Sequence, residues 1–294
     1  MKRILLTGGS GFIGRHLLPE LARYYEVHAP SHRELDLLDA EAVLDCLTKG
    51  KYDTVIHSAT QNASRNSSDP ADVVLERTLR MFFNILRGEE HYGQLLYFGS
   101  GAEFDKSRSI VSVSEDEYGL RIPGDNYGFA KYIMTQTAAR SRKTCNLRIF
   151  GCYGEYEDWE IRFISNAICK ALYDMPITMR QNVVFDYMYV GDIAPVALHF
   201  IEHPPKQYQY NVCSGQKNDL LSITGLIAEA MGKKLDVRVG KSGLNNEYSG
   251  SNRRLLDEIP GLRFAPMRET IAKMLAWYAD RLDTVDPKKL LTDK

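Results

Sequence analysis

An apolar run, a glycine-dense bend and an amphipathic stretch follow one another without a break at the start of this chain. Residues 3–7 (Arg-Ile-Leu-Leu-Thr) read as a strand, residues 8–14 (Gly-Gly-Ser-Gly-Phe-Ile-Gly) as the bend, and residues 12–24 as a helix. Nothing else in the sequence restricts the fold as tightly. Of the three glycines spaced three apart, Gly8 permits a tight turn and Gly11 lets backbone N–H groups approach an anion. Gly14 lets the helix pack close to the strand, with the helix N-terminus facing the anion. The bend therefore reads as a pyrophosphate cradle formed by Gly8, Ser10, Gly11, Phe12, Ile13 and Gly14, rather than as a bare strand-to-helix turn.

The first half of the chain repeats the same rhythm. Further strands are expected at 26–29, 54–57, 94–98 and 146–149, separated by helical patterns at 40–48, 72–87 and 127–141. Strands alternating with helices call for right-handed crossovers and a parallel sheet covered on both faces. The expected fold is α/β, a Rossmann-type doubly wound parallel sheet. After Gly151 the pattern changes to helices at 161–172, 192–202, 222–231 and 268–281, with strands at 183–190, 208–212 and 235–239. We read these as a smaller C-terminal α/β lobe interleaved with the end of the main sheet. Residues 1–155 form the nucleotide-binding part, with segments such as 183–212 partly returning to it. Residues 156–283 form mainly a substrate lobe, and 284–294 a polar tail open to disorder. The Gly, Ser and Asn of residues 240–251 read as a loop.

Bulk properties exclude several classes of function. The 294 residues carry 37 basic and 38 acidic side chains, a net charge of −1, with no basic stripe of the kind that nucleic acid requires. The five cysteines are odd in number, widely spaced and never C-x-x-C, so neither a disulfide framework nor a metal site is expected. No apolar stretch approaches the ~20 residues needed to span a bilayer. The first strand runs straight into the bend, without a charged leader and cleavage site. The expectation is a cytoplasmic protein with neither a nucleic-acid nor a membrane partner.

The chemistry-bearing pattern is Tyr127-Gly-Phe-Ala-Lys131, at the start of an expected helix. Four residues place both side chains on one face, one turn apart. A free phenol has a pKa of ~10 and is a poor base at neutral pH, and a nearby ammonium is expected to lower it. The phenol then gives or takes a proton while a hydride moves. Alone, Y-x-x-x-K is a common surface pair. It gains weight here because the strand at 94–98 runs on to Ser100, at the carboxyl edge where ligands of open parallel sheets bind. The Ser100 hydroxyl is placed to hydrogen-bond the oxygen that Tyr127 protonates.

Together these motifs resemble the extended short-chain dehydrogenases, the NAD(P)-dependent family of nucleotide-sugar epimerases, dehydratases and reductases. The spacing TGGSGFIG from Thr7 to Gly14 is that family's form, and Ser100 precedes Phe104 by the family's four residues. Leu147–Gly154 resembles its L-R-x-x-N-x-Y-G segment with Gly151 in place of Asn, and residues 186–192 and 251–255 resemble later segments. The resemblance runs from residue 3 to about 281. It implies that Asp36-Leu37 holds the adenine edge and that Ser58 and Ala59 line the cofactor. It also implies that Lys131 tunes Tyr127 and binds the nicotinamide ribose. An acid closing the second strand would take the adenosine ribose diol, yet that position reads Ala29-Pro-Ser-His32-Arg33. Arg33 suits a 2′-phosphate, so NADP(H) is favoured over NAD(H).

Departures within the family narrow the reaction. Its 4,6-dehydratases place Asp-Glu where this chain has Gly101 and Ala102, and Glu103 is one residue out of register. The similarity is local to GDP-fucose synthase, whose epimerising cysteine and histidine align with Ala102 and Arg162. The expected activity is NADPH-dependent reduction of the C4 keto group of a nucleotide-linked sugar, typically 6-deoxy, without 3,5-epimerisation. The alternatives are an NAD-dependent C4 epimerase and a non-enzymatic NADP-binding sensor. Arg162, Asn166, Arg180 and Arg253 are the candidates for substrate contact. A homodimer through the helices at 72–87 and 127–141 would place Phe82, Phe83, Tyr132 and Met134 in the interface or the core.

Overall fold

The strands at the centre of the main sheet are apolar on both faces, which only a sheet covered by helices on each side accommodates. The computed structural model describes residues 1–61 and 71–291. In chain order the first half contains β1 (Arg3–Thr7), α1 (Phe12–Leu21), β2 (Glu26–His28), α2 (Ala40–Gly50), β3 (Tyr52–His57), α3 (Ala71–Leu86), β4 (Tyr92–Ser100), β5 (Ile110–Val113), α4 (Asn126–Ala138) and β6 (Thr144–Ile149). The second half contains β7 (Gly151–Tyr153), α5 (Phe163–Leu172), β8 (Ile177–Asn182), β9 (Val184–Tyr189), α6 (Ile193–Glu202), β10 (Gln209–Val212), β11 (Lys217–Asp219), α7 (Leu220–Met231), β12 (Val237–Leu244), β13 (Tyr248–Gly250), α8 (Arg253–Glu258) and α9 (Met267–Ala279).

The main sheet runs β2-β1-β3-β4-β6-β10, and every neighbouring pair is parallel. Alternate side chains of each strand enter different cores, as the period of two requires. Leu5, Val55, Leu95 and Tyr97 pack with Val43 and Leu47 of α2, Phe82 and Ile85 of α3 and Met134 of α4. Ile4, Leu6, Ile56, Leu96 and Phe98 face the other way, onto Leu17 of α1, Phe200 of α6 and residues of α5, α7 and α9. The chain order reverses between β1 and β3, so the carboxyl ends of β1, β3, β4 and β6 open onto the crevice where ligands of such sheets bind.

A second sheet, in the order β11-β9-β13-β5 with β7 beside β9, lies next to this edge. It draws β5 from the first half, while β10 from the second half closes the main sheet. The stretch 240–251 is not the loop its composition suggests. β12 pairs in parallel with β8 up to Leu244, and Tyr248–Gly250 pairs with both β5 and β9. Partners distant in sequence override the weak strand preference of Gly, Ser and Asn. The tail also departs from expectation. Val285 and Leu290 are buried, and the Tyr173 hydroxyl donates to the carbonyls of Leu282 and Val285; residues 292–294 lie outside the described residues. Among the four residues considered for a helix interface, Phe82 and Met134 are core, and Phe83 and Tyr132 are partly exposed. No helix of the described residues is long and apolar enough to cross a membrane.

Candidate active site

At the end of β1 the chain turns through Gly8 with φ +74°, a left-handed conformation that glycine adopts without strain. A Cβ on Gly8 would lie 2.6 Å from the Ala59 nitrogen and 2.8 Å from the Ser58 carbonyl carbon. The end of β3 is pressed against the bend, and the Ser58 N–H donates to the Thr7 carbonyl at 3.1 Å. A Cβ on Gly14 would run into the Gly8 carbonyl, which fixes how closely α1 meets β1. The α1 N-cap is Gly11, and no side chain caps it. The first-turn N–H groups of α1 therefore lack side-chain acceptors, which is the arrangement a phosphate fits. Ser10 and Gly11 are exposed there, and Phe12 and Ile13 are half-buried. Thr7 Oγ1 and His57 Nδ1, 2.8 Å apart, join the two strand ends. Burial, helped by the charge of Lys131, drives the His57 pKa down to about 3, so the ring is neutral.

Beyond β2, Arg33 is exposed and makes no ion pair among the described residues. The nearest acid, Glu34, accepts from the Ser31 N–H at 2.7 Å, and this bond holds its pKa below the usual value. The Asp36 carboxylate accepts from the Leu38 N–H at 3.0 Å. The Leu37 side chain belongs to the core beside α2 and α3, and Asn84 donates to its carbonyl at 2.9 Å.

Asp125 caps α4 by accepting from the Gly128 N–H at 2.9 Å, which starts the helix one residue before Tyr127. Lys131 follows one turn later, with Nζ 6.0 Å from the Tyr127 ring centroid, and donates to the Phe98 carbonyl at 2.8 Å. Ser100 ends β4 and accepts from the Ala102 N–H at 3.2 Å, and its side chain is among the groups that act on the Tyr127 phenol. The expected tuning of the phenol is reversed in detail. Burial raises the Tyr127 pKa, and the groups that oppose this rise are Ser100 and the charge of Arg162. Lys131 is itself pushed down to about 8 by burial, against the pull of Glu103. With a pKa of about 8, Lys131 still carries its charge at neutral pH, 6.0 Å from the Tyr127 ring centroid.

Glu103 is fully buried and forms a 2.7 Å ion pair with Arg148. It also accepts from the Ser100 N–H at 2.9 Å, from Thr135 Oγ1 at 2.9 Å and from Asn146 Nδ2 at 3.1 Å. Arg148 reaches on to Asn211 and Gln209. This network underlies β4, α4 and β6, the elements that carry or flank Ser100, Tyr127 and Lys131.

Of the four candidates for substrate contact, only Arg162 is among the charges acting on Tyr127. Asn166 is buried, and its amide donates to the Trp159 carbonyl at 3.0 Å, securing the segment before α5. Arg180 lies exposed on β8, and Arg253 pairs with Asp257 at 4.0 Å on the surface of α8. Sequence reasoning missed Tyr248, whose phenol lies against Gly101 and is acted on by Ser100, Tyr127 and Arg162. It also missed Glu157, which is buried beside the field of Arg162, accepts from Ser165 Oγ at 2.5 Å and is pushed up to about 8 by burial. A cavity of about 500 Å³, lined by Lys2, Gln94 and Lys143 among others, opens at the amino edge of the sheet. It lies away from these groups, and geometry rather than cavity size locates the site.

Over residues 4–213 the chain matches the family described as the NAD dependent epimerase/dehydratase family. It is 26% identical over 288 residues to the GDP-L-colitose synthase of Yersinia pseudotuberculosis, covering 87% of this chain and 89% of that protein. It is 25% identical over 248 residues to the ADP-L-glycero-D-manno-heptose-6-epimerase of Pseudomonas aeruginosa, covering 72% and 73%. The fold superimposes on that of the GDP-mannoheptose C4 reductase from Campylobacter jejuni, solved with NADP bound. That match has a TM-score of 0.80 at 15% identity and covers 94% of this chain and 98% of that one. The family match runs from the first strand of the main sheet through its last, and the chain is a member of the NAD dependent epimerase/dehydratase family.

Proposed function

We propose that this chain reduces the C4 keto group of a nucleotide-linked sugar, typically a 6-deoxy sugar, with NADPH and without 3,5-epimerisation. The observation that carries the reading is the grouping of Ser100 with Tyr127, one helical turn before Lys131, at the carboxyl edge beside the glycine bend. The residues fit a dinucleotide: the Gly8–Gly14 bend and the uncapped start of α1 suit its pyrophosphate. The exposed Arg33 suits a 2′-phosphate, and the adjacent Glu34 accepts from the Ser31 N–H.

Bound NADPH supplies a hydride, and with it the electron pair that reduces the carbonyl carbon. Tyr127 gives its phenolic proton to the carbonyl oxygen, so the ketone becomes a secondary alcohol, and the phenol is later reprotonated from solvent. Ser100 donates to the same oxygen as charge develops on it. Lys131, anchored on the Phe98 carbonyl, holds the ribose side of the cofactor. Arg162 lowers the cost of a phenolate at Tyr127 and attracts the diphosphate of the substrate. Ala102 offers no proton shuttle and Glu103 is committed to Arg148, which supports reduction over dehydration or 3,5-epimerisation. The similarity to a heptose epimerase favours a second reading, an epimerase that retains its cofactor through turnover.

One panel separates these readings. Purified protein is first checked for bound nicotinamide, then offered NADPH or NADH with GDP-, dTDP-, UDP- and CDP-linked 4-keto-6-deoxy sugars. Stoichiometric NADPH consumption with one of them is the expected result. Isomerisation of a sugar nucleotide without added cofactor would replace the reductase reading with the epimerase one.

A further inference from the structure

A residue other than glycine in the left-handed region carries backbone strain, which persists only where its surroundings over-determine it. Tyr156, in the turn after β7, is such a residue, with φ +66°. Its side chain is 47% exposed, yet three groups hold the ring. Trp277 of α9 and His16 of α1 meet it edge-on at centroid distances of 5.1 and 5.7 Å, and the Arg15 guanidinium lies 5.0 Å from its centroid. The turn is tied to α1, because His16 Nε2 donates to the Glu155 carbonyl at 2.9 Å. It is tied to α9 by the 3.1 Å ion pair of Lys273 with Glu155.

Arg15 is the fourth residue of α1, and helical side chains lean back toward the helix N-terminus. Its Nε donates to the Ser10 carbonyl at 2.9 Å, one residue before the Gly11 N-cap. The guanidinium is thus shared between a carbonyl of the glycine bend and the Tyr156 ring. The first turn of α1 holds no acid, and Arg15 makes no ion pair among the described residues. We propose that Arg15 is a further cofactor-binding residue, a cation that Tyr156 holds beside the glycine bend to pair with the pyrophosphate of the dinucleotide. Packing against a ring leaves the in-plane donors of a guanidinium available. With Nε taken by Ser10, the terminal nitrogens remain for phosphate oxygens. The backbone N–H groups of the bend supply only dipoles, and Arg15 adds a full charge. Arg33 suits a group that NADPH alone carries, whereas Arg15 acts on one that NADPH and NADH share.

The inference rests on the dinucleotide part of the proposed function and not on the reduction, so its test needs no sugar substrate. Kd values for NADPH and for NADH are measured by nicotinamide fluorescence on the full chain. The proteins are the wild type, Arg15→Met, Arg15→Lys, Tyr156→Leu, Tyr156→Phe and Arg33→Met. Arg15→Met is expected to weaken both dinucleotides about ten-fold. Arg15→Lys keeps the charge and should stay within about three-fold of the wild type. Tyr156→Leu should cost about three-fold and Tyr156→Phe almost nothing, because phenylalanine keeps the ring face. Arg33→Met should weaken NADPH alone. The melting temperature of ligand-free Arg15→Met should stay within about 2 °C of the wild type. Arg15→Met binding both dinucleotides like the wild type, or losing NADPH alone, overturns the proposal. So does a loss of affinity matched by a clear drop in ligand-free melting temperature, which marks a structural residue. A wild type that binds neither dinucleotide defeats this proposal together with the cofactor assignment. A wild type that binds them but reduces no sugar nucleotide defeats the reduction and leaves the expected Kd pattern as support for Arg15.

Discussion

Two polar clusters meet at the end of β4, and they are built on opposite principles. On the cleft side stand Ser100, Tyr127, Lys131 and Tyr248, whose protonation equilibria burial has displaced: both phenols upward and the lysine down to about 8. Behind them Glu103, Arg148, Asn146 and Thr135 are fully buried but hold one another through an ion pair and hydrogen bonds of 2.7–3.1 Å. The rear cluster pairs its charges internally and leaves only Asn146 Oδ1 of its side-chain atoms without a partner, so it contributes structure. The front cluster carries desolvation that its own contacts do not offset, and such strain is typical of groups kept ready for a reaction. A folded chain tolerates the front because the rear fixes β4, α4 and β6 in place.

The sharpest way to break this contrast is Tyr127→Phe. We expect kcat to fall roughly 10³–10⁴-fold, about 4–5.5 kcal/mol of barrier, with NADPH affinity and thermal stability nearly unchanged. A large loss of stability would show that the front is structural as well. Arg148→Met should do the reverse. It strands Glu103 without its cation and should cost about 3–5 kcal/mol in denaturant unfolding, well beyond any effect on NADPH binding in the folded fraction.

Lys131→Met sharpens the comparison, because the front lysine should cost stability where the rear arginine supplies it. Removing the buried ammonium is expected to abolish turnover yet raise stability by roughly 1–3 kcal/mol at pH 7. Unfolded, this lysine holds its proton up to about 10.5, whereas folded it releases it from about 8. The unfolded state binds more protons across that window, so the wild type gains stability as pH rises and the gap to Lys131→Met closes. Glu157, a buried carboxyl whose pKa desolvation raises, gives an effect that emerges only toward higher pH. Its folded pKa of about 8 exceeds the unfolded 4.5, so the wild type loses stability as pH climbs from 4.5 to 8. Glu157→Gln should match the wild type below that window and exceed it by roughly 2–5 kcal/mol at its upper end, as read by melting curves across pH.

Much of the main sheet was legible because its signals are local. The β1–α1 unit, the order of strands and helices, and the Tyr127–Lys131 spacing each follow from periods of two or 3.6 and from the shape of glycine. The site was legible only in part. Arg162 stood in the sequence as one of four equal candidates, and only the start of α5 beside Tyr127 sets it apart. Tyr248 lay in a stretch whose composition suggested a loop, and its approach to Gly101 depends on pairing with strands from two other parts of the chain. The tail reads as polar, yet Val285 and Leu290 find apolar cover that no local pattern announces.

The sequence by itself determined the glycine turn, the alternating α/β order and the placing of Tyr127 and Lys131 one helical turn apart, because each depends on residues within one or two helical turns of one another. The tertiary structure decided which charges act on the Tyr127 phenol, that Lys131 is buried, and that the Tyr248 phenol stands against Gly101 at the end of β4. Desolvation and hydrogen-bond partnership are set by atoms brought together from distant segments, and neither is encoded in local spacing.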